Sequence, residues 1–271
     1  LQRYLLSFPA SKFLKKDLWE INFTPFICKL FLEKFLNEEF MEFSQTLVKG
    51  YFIKRYKRFL TDIKLENGKV VTAHCPNSGS MRSCLGTYWP TRLSTSDNPQ
   101  RKLKYTLEML YNGKTWIGVN TYLANQIVAE AISKAEIKEL IGYTNLTREV
   151  KYGQNSRIDI LLENEEEKCY VEVKNVTLVE AGNYLFPDAP TQRGQKHLHE
   201  LMQMKKQGHR AVMFYLIQRQ DGKIFAPASH IDPEYSKLLK QAYKQGVEIL
   251  PYRTKVSPEK ITLANRIEFK L

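Results

Sequence analysis

From Leu47 onward, apolar and polar positions alternate in short runs separated by turn residues. "VKGYFIKRYKRFLTDIKL" leads into "ENGK", whose Asn67-Gly68 pair is a strong hairpin signal. "VVTAHC" runs into the loop "PNSGS", and "TYWPTRL", "YTLEMLY" and "TWIGVN" follow, the last after Asn112-Gly113. Five or six short strands in so small a span predict a small barrel of the OB type. "GKT" at Gly113–Thr115 resembles the end of a phosphate-binding loop, but Glu108 stands where that loop needs glycine. It reads as a hairpin turn.

After "VNT" the period changes. "YLANQIVAEAISKAEIKEL" places Leu123, Ile127, Val128 and Ala131 on one helical face. Strands are expected at 147–153, 156–163 and 168–177, then a helix over 191–207 closed by Gly208. "RAVMFYLI" has the unbroken apolar character of a strand buried on both faces. Asp232-Pro233 opens another helix as cap and first residue, Gly246 ends it, and "VEILPY" is the last strand. The order α-β-β-β-α-β-α-β predicts a mixed sheet flanked by helices. The expected domains are therefore residues 41–120, a β domain, and 121–271, a mixed α/β domain. Residues 1–40 are dense in Phe and Leu without helical or strand periodicity, and are expected to be an extension upstream of a start at Met41.

Charge changes the picture. The 271 residues carry 41 Lys+Arg against 29 Asp+Glu, a net +12, which suits a polyanionic partner. No uncharged apolar run approaches the ~18–20 residues that cross a bilayer, so no membrane role is expected. Cys28, Cys75, Cys84 and Cys169 are scattered without zinc-site spacing and read as reduced thiols of a cytoplasmic or nucleoid protein.

Within the barrel segment, Lys54, Arg55, Lys57 and Arg58 interleave with Tyr51, Phe52, Tyr56 and Phe59. Arg101 and Lys102 form a second basic group. Cations for phosphates and rings for bases make a nucleic-acid groove, although the same alternation also fits rings in a core and cations in solvent. The helix segment "TQRGQKHLHEL" adds Arg193, Lys196 and His197 at i, i+3, i+4 spacing, a possible clamp on phosphate.

The most specific chemistry lies in "RIDILLENEEEKCYVEVK", a hairpin in which Asp159, Glu172 and Lys174 interrupt an apolar alternation. Glu172 and Lys174 share a face, and Asp159 approaches Glu172 across the hairpin. Two facing carboxylates repel unless a cation joins them; Mg²⁺, or Mn²⁺, is the natural guest for oxygen ligands. Lys174 can then orient a water or stabilise charge on a phosphorane. This is a phosphodiester-cleaving arrangement. Asp followed by Glu-x-Lys across a hairpin resembles the PD-(D/E)xK nuclease superfamily, which implies catalytic roles for Asp159, Glu172 and Lys174. Such domains often add a helix carboxylate as a metal ligand; Glu130 is the first candidate and Glu149 the second.

Together with "HCPNSGSM", "STSDNPQRKLKYTLEML", "VNTYLAN", "YVEVKNVTL" and "FPDAPTQRGQKHLHEL", the chain from about Met41 resembles the sugar fermentation stimulation protein A family. The resemblance implies an OB-like barrel followed by a restriction-endonuclease-like mixed-sheet domain. It also implies binding of DNA, single- or double-stranded, with little sequence preference, and a link to maltose metabolism. Three functions follow: an Mg²⁺-dependent DNA nuclease, a catalytically silent DNA-binding regulatory factor, or a regulator acting through a protein partner.

Overall fold

The computed structural model describes residues 42–43, 45–153 and 156–271; the expectations for residues 1–40, Met41 and Cys28 lie outside them. The first half forms strands β1 (Val48–Tyr56), β2 (Leu60–Leu65), β3 (Val70–His74), β4 (Pro90–Thr95), β5 (Tyr105–Tyr111) and β6 (Trp116–Gly118). They run in the order β3-β2-β1-β4-β5-β6, and a further parallel pairing of β3 with β5 closes the barrel. Inside lie Phe52, Ile63, Ala73, Leu93, Leu107 and Ile117. Closure brings β1 hard against β2 at Gly50, where any Cβ would stand 2.5 Å from Ile63 Cγ2. Only glycine fits there. The β1–β2 hairpin turns through Lys57 and Arg58, both left-handed at φ 47° and 63° without a glycine.

The second half begins with helix α1 (Ala124–Ser133), then β7 (Asn145–Tyr152), β8 (Ser156–Glu163) and β9 (Lys168–Val176). Short strands β10 (Leu178–Glu180) and β11 (Asn183–Phe186) lead to helix α2 (Gln192–Lys206), β12 (Arg210–Ile217) and β13 (Phe225–Pro227). Helix α3 (Pro233–Lys244), β14 (Glu248–Val256) and β15 (Ile261–Arg266) complete it. The main sheet has the order β15-β14-β12-β9-β8-β7, with β9, β12 and β14 parallel and the remaining pairs antiparallel. The wholly apolar β12 sits between two parallel partners, as its composition requires. Helix α1 covers one face, burying Ile127 and Val128 against Ile160, Val171 and Phe214. Helices α2 and α3 cover the other, with Leu198, Leu201 and Leu239 against Met213, Tyr215 and Ile249. The fold is thus an OB-like barrel followed by a mixed-sheet domain.

The expected element order omits β10, β11, β13 and β15. The first three are too short to show a period, and β15 ends in exposed polar residues. The helix expected over 122–140 stops at Ser133, because Ala135 turns left-handed at φ 55° and redirects the chain so that Ile137 and Leu140 enter the core.

The barrel meets the mixed sheet through buried polar contacts. Arg219, 2% exposed, donates to Thr177 O at 2.6 Å and Ser83 Oγ at 3.0 Å, and forks onto both Asp221 oxygens at 2.7 Å. Asn112 Nδ2 donates to Asp221 Oδ2 at 2.7 Å, so one ion pair holds residues of both halves.

Candidate active site

The β8–β9 ladder pairs Ile160 with Val171 and goes no further. At the next step, where Asp159 would face Glu172, the strands part. Asp159 Oδ2 accepts the Val173 N–H at 2.7 Å, replacing the lost strand partner. On the other side of β8 the β7 ladder skips Glu149, which is left-handed at φ 57°. Sheet irregularities of this kind often re-aim side chains at active sites. Asn125, in the first turn of α1, bridges the gap: its Nδ2 donates to Asp159 Oδ1 at 2.8 Å and to Glu149 Oε1 at 3.1 Å.

Glu172 is 1% exposed. Its Oε1 meets Lys174 Nζ and His197 Nδ1, while its buried Oε2 has no hydrogen-bond partner among the described residues. His197 Nε2 accepts from Arg193 Nε at 3.4 Å. Burial works to raise the Glu172 pKa, but Lys174 and His197 outweigh it and hold the carboxyl below its ordinary value. For Asp159 burial, then the Glu172 charge, outweigh Lys174 and the Val173 and Asn125 hydrogen bonds and push the carboxyl from 3.8 to about 6. Tyr152, also buried, is raised by burial and then by the charges of Glu172, Glu200 and Asp159. Neither oxygen of Glu200 has a hydrogen-bond partner among the described residues, though Lys196 Nζ lies 3.6 Å from Oε1. The pocket is therefore short of positive charge.

The donor set fits a hard cation. A buried carboxylate oxygen without a partner and a second carboxylate with a raised pKa are both relieved by a divalent ion. Among the described residues no three His, Cys, Asp or Glu side chains form a complete cage. An ion held here by Asp159 and Glu172 would draw its other ligands from water and substrate phosphate, as Mg²⁺ commonly does.

The structure brings Asp159, Glu172 and Lys174 together but not Glu130. That carboxylate bonds Lys134 at 2.8 Å and lies beside Ile261, Thr262 and Leu263 at the far edge of the sheet. The residues of α1 and β7 that reach the site are Asn125 and Glu149; Asn125 carried no charge signal in the sequence. His197 is likewise corrected: it is 4% exposed and supports Glu172 instead of standing on an open basic face, because α2 packs that side onto the sheet. Lys196 turns instead toward Glu200. Arg55 is engaged within the barrel. Its guanidinium donates to Asn77 O at 2.7 Å, Gly79 O at 3.0 Å and Ser80 O at 3.1 Å, holding the "PNSGS" loop in shape. Lys54 lies 3.7 Å from Asp62 and over the Tyr56 ring. Lys57, Arg58, Arg101, Lys102 and Arg193 are exposed.

Asp159→Asn should stabilise the metal-free protein. The folded pKa, about 6, lies above the unfolded 3.8, so the native state binds the extra proton and stability falls as pH rises through that window. Removing the charge should raise Tm in EDTA at pH 7 by about 2–6 °C, with no gain near pH 4. Melts showing an equal change at both pH values would contradict the charge argument.

A closed OB-like barrel followed by a mixed sheet whose strands part over acidic residues defines a two-part protein, an OB-like module joined to an α/β domain. Residues 53–119 match the family described as the SfsA N-terminal OB domain, and residues 122–260 the sugar fermentation stimulation protein RE domain. The chain belongs to the sugar fermentation stimulation protein family. It is 54% identical over 231 residues to the homolog of that name from Geotalea uraniireducens, covering 85% of this chain and 100% of the relative. A Shewanella baltica homolog is 53% identical over 227 residues, covering 83% and 97%. Among solved structures, Pyrococcus furiosus SfsA in complex with Ca²⁺ superposes with a TM-score of 0.78 at 25% identity, covering 86% of this chain and 99% of that one.

Proposed function

We propose that this protein binds DNA with little sequence preference and cleaves its phosphodiester bonds with Mg²⁺ or Mn²⁺ at Asp159, Glu172 and Lys174. The observation that carries the reading is the convergence of these side chains where β8 and β9 part, with Glu172 Oε2 buried and unpartnered among the described residues. Asp159 and Glu172 would hold the cation; once bound it polarises a phosphoryl oxygen and makes a coordinated water more acidic. Lys174 holds the attacking water and faces the negative charge that builds on phosphorus. His197 keeps Glu172 in place through Nδ1, and Arg193, at its far nitrogen, is available to a neighbouring phosphate. The relative solved with Ca²⁺ supports a divalent ion with oxygen ligands. The proposal divides the labour at about residue 120: residues 41–120 bind, and 121–271 bind and cut. It also places the protein in the cytoplasm or nucleoid.

A second reading is a catalytically silent DNA-binding factor linked to sugar metabolism, for which the relatives' name speaks. It is also favoured by the engagement of Lys174 and His197 with the same Glu172 oxygen, which partly neutralises the site without metal. Incubating the protein with single- and double-stranded DNA in Mg²⁺, Mn²⁺ or EDTA separates the two. Metal-dependent cleavage supports the nuclease; binding without cleavage in any metal supports the silent factor. In either case affinity should fall steeply with salt, by ~10²-fold or more between about 50 and 200 mM. A salt-independent interaction would remove DNA from both readings.

A further inference from the structure

Three aromatic rings outside the pocket form a row that is partly exposed. Phe59, at the tip of the β1–β2 hairpin, is 43% exposed, and Tyr122, in the turn before α1, is 74% exposed. His74 lies between them, its ring centroid 6.4 Å from each. Isolated surface rings need no explanation, but a contiguous row does. The backbone holds this one in place. Cys75 N–H donates to Phe59 O at 2.8 Å, Tyr122 N–H to the Asn120 cap at 3.1 Å, and the Thr121 hydroxyl to Pro76 O at 2.8 Å.

Cations rim the row. Lys57 and Arg58 precede Phe59 in the hairpin turn and are exposed. Arg101 donates to Thr106 Oγ1 at 2.9 Å, and Thr106 pairs with His74 across β3 and β5. Burial, then Arg101, lower the His74 pKa, so the imidazole stays an uncharged ring near neutrality. Tyr122, in the 3-10 turn Thr121–Leu123 that leads into α1, precedes Asn125 by three residues, and Asn125 donates to Asp159 at 2.8 Å.

We propose that Phe59, His74 and Tyr122 are a stacking platform for the unpaired bases of single-stranded DNA, and that Lys57, Arg58 and Arg101 hold its phosphates as the strand runs toward Asp159. This rests on the DNA-binding reading above and narrows its substrate to single strands. A duplex hides its base faces and can use only the cations, whereas an open strand uses both.

The test is fluorescence anisotropy in EDTA, where nothing is cut. The probes are a labelled oligothymidylate of about 15 nucleotides, an abasic oligomer of equal length, and a duplex. The wild-type protein should bind oligothymidylate ~10-fold or more tightly than the abasic strand. Tyr122→Ala and Phe59→Ala should each weaken oligothymidylate binding by ~5–100-fold and leave abasic binding and the salt slope unchanged. Tyr122→Trp, which keeps a large ring, should retain the preference. Because the Tyr122 ring projects into solvent, its removal opens no core cavity, and far-UV circular dichroism of each variant checks the fold. Equal wild-type affinity for the thymidine and abasic strands, or unchanged base preference in both alanine variants, overturns the platform. Cleavage assays fail independently: a protein that prefers bases yet never cuts loses only its catalytic reading. One that cuts duplex as well as single strands, with no base preference, loses only the platform.

Discussion

Lys174→Ala is expected to lower metal-dependent cleavage by about 10²–10⁴-fold while changing DNA affinity in EDTA by less than ~3-fold. The reason is local. Lys174 is mostly buried beside Glu172, with its Nζ 3.2 Å from His197 Nδ1, so it adds little to the outer field that attracts DNA. It stands where a developing negative charge needs a fixed cation, and alanine leaves nothing there. Lys174→Arg should not rescue the activity, since a planar fork cannot occupy the ammonium position between Glu172 and His197 without displacing them. Asp159→Asn should lose a comparable factor for a different cause, the loss of an oxygen ligand. A preparation of either variant that cuts at wild-type rate would place the chemistry elsewhere, or in a contaminant.

The largest stability effect is expected from Arg219→Met. Its guanidinium is buried and holds Asp221, Thr177 and Ser83 at once, across the contact between barrel and sheet. Breaking a buried pair by removing one partner costs about 3–5 kcal/mol, because Asp221 loses its charged partner and keeps only the Asn112 donor. Thermal unfolding should begin on the order of 10 °C lower. The transition should also broaden or divide, as the barrel and the mixed sheet lose a shared contact. Denaturation followed by circular dichroism and by Trp116 and Trp89 fluorescence reports the two events. A single unshifted transition would mean that the other contacts between the halves, such as Gly118 N–H to Gln218 O, suffice without Arg219.

Much of this architecture is legible in local pattern. The hairpin turn at Asn67-Gly68, the apolar β12, and the Asp232-Pro233 start of α3 all appear in the structure with the geometry their composition demands. Elements with little local signature were not legible. β10 and β13 are too short to carry a period, and the Lys57-Arg58 turn uses left-handed residues that no glycine announces. For the site, the hairpin spacing brings Asp159 and Glu172 to adjacent strands, and the i, i+2 rule puts Lys174 beside Glu172. Asn125 escaped notice because an uncharged amide in a helix looks like solvent-facing filler.

What the sequence alone determined is the longer strands and helices, the placing of two acids and a lysine on neighbouring strands, and a net positive charge, because side-chain periodicity and net charge are properties of the chain itself. Which charged groups remain available was decided by tertiary packing. Arg55 is engaged by loop carbonyls, His197 is covered under α2, and Glu130 is carried to the far edge of the sheet with Lys134. A side chain's face follows from its own strand or helix, but its partner is supplied by whatever element folds against that face, often a hundred residues away.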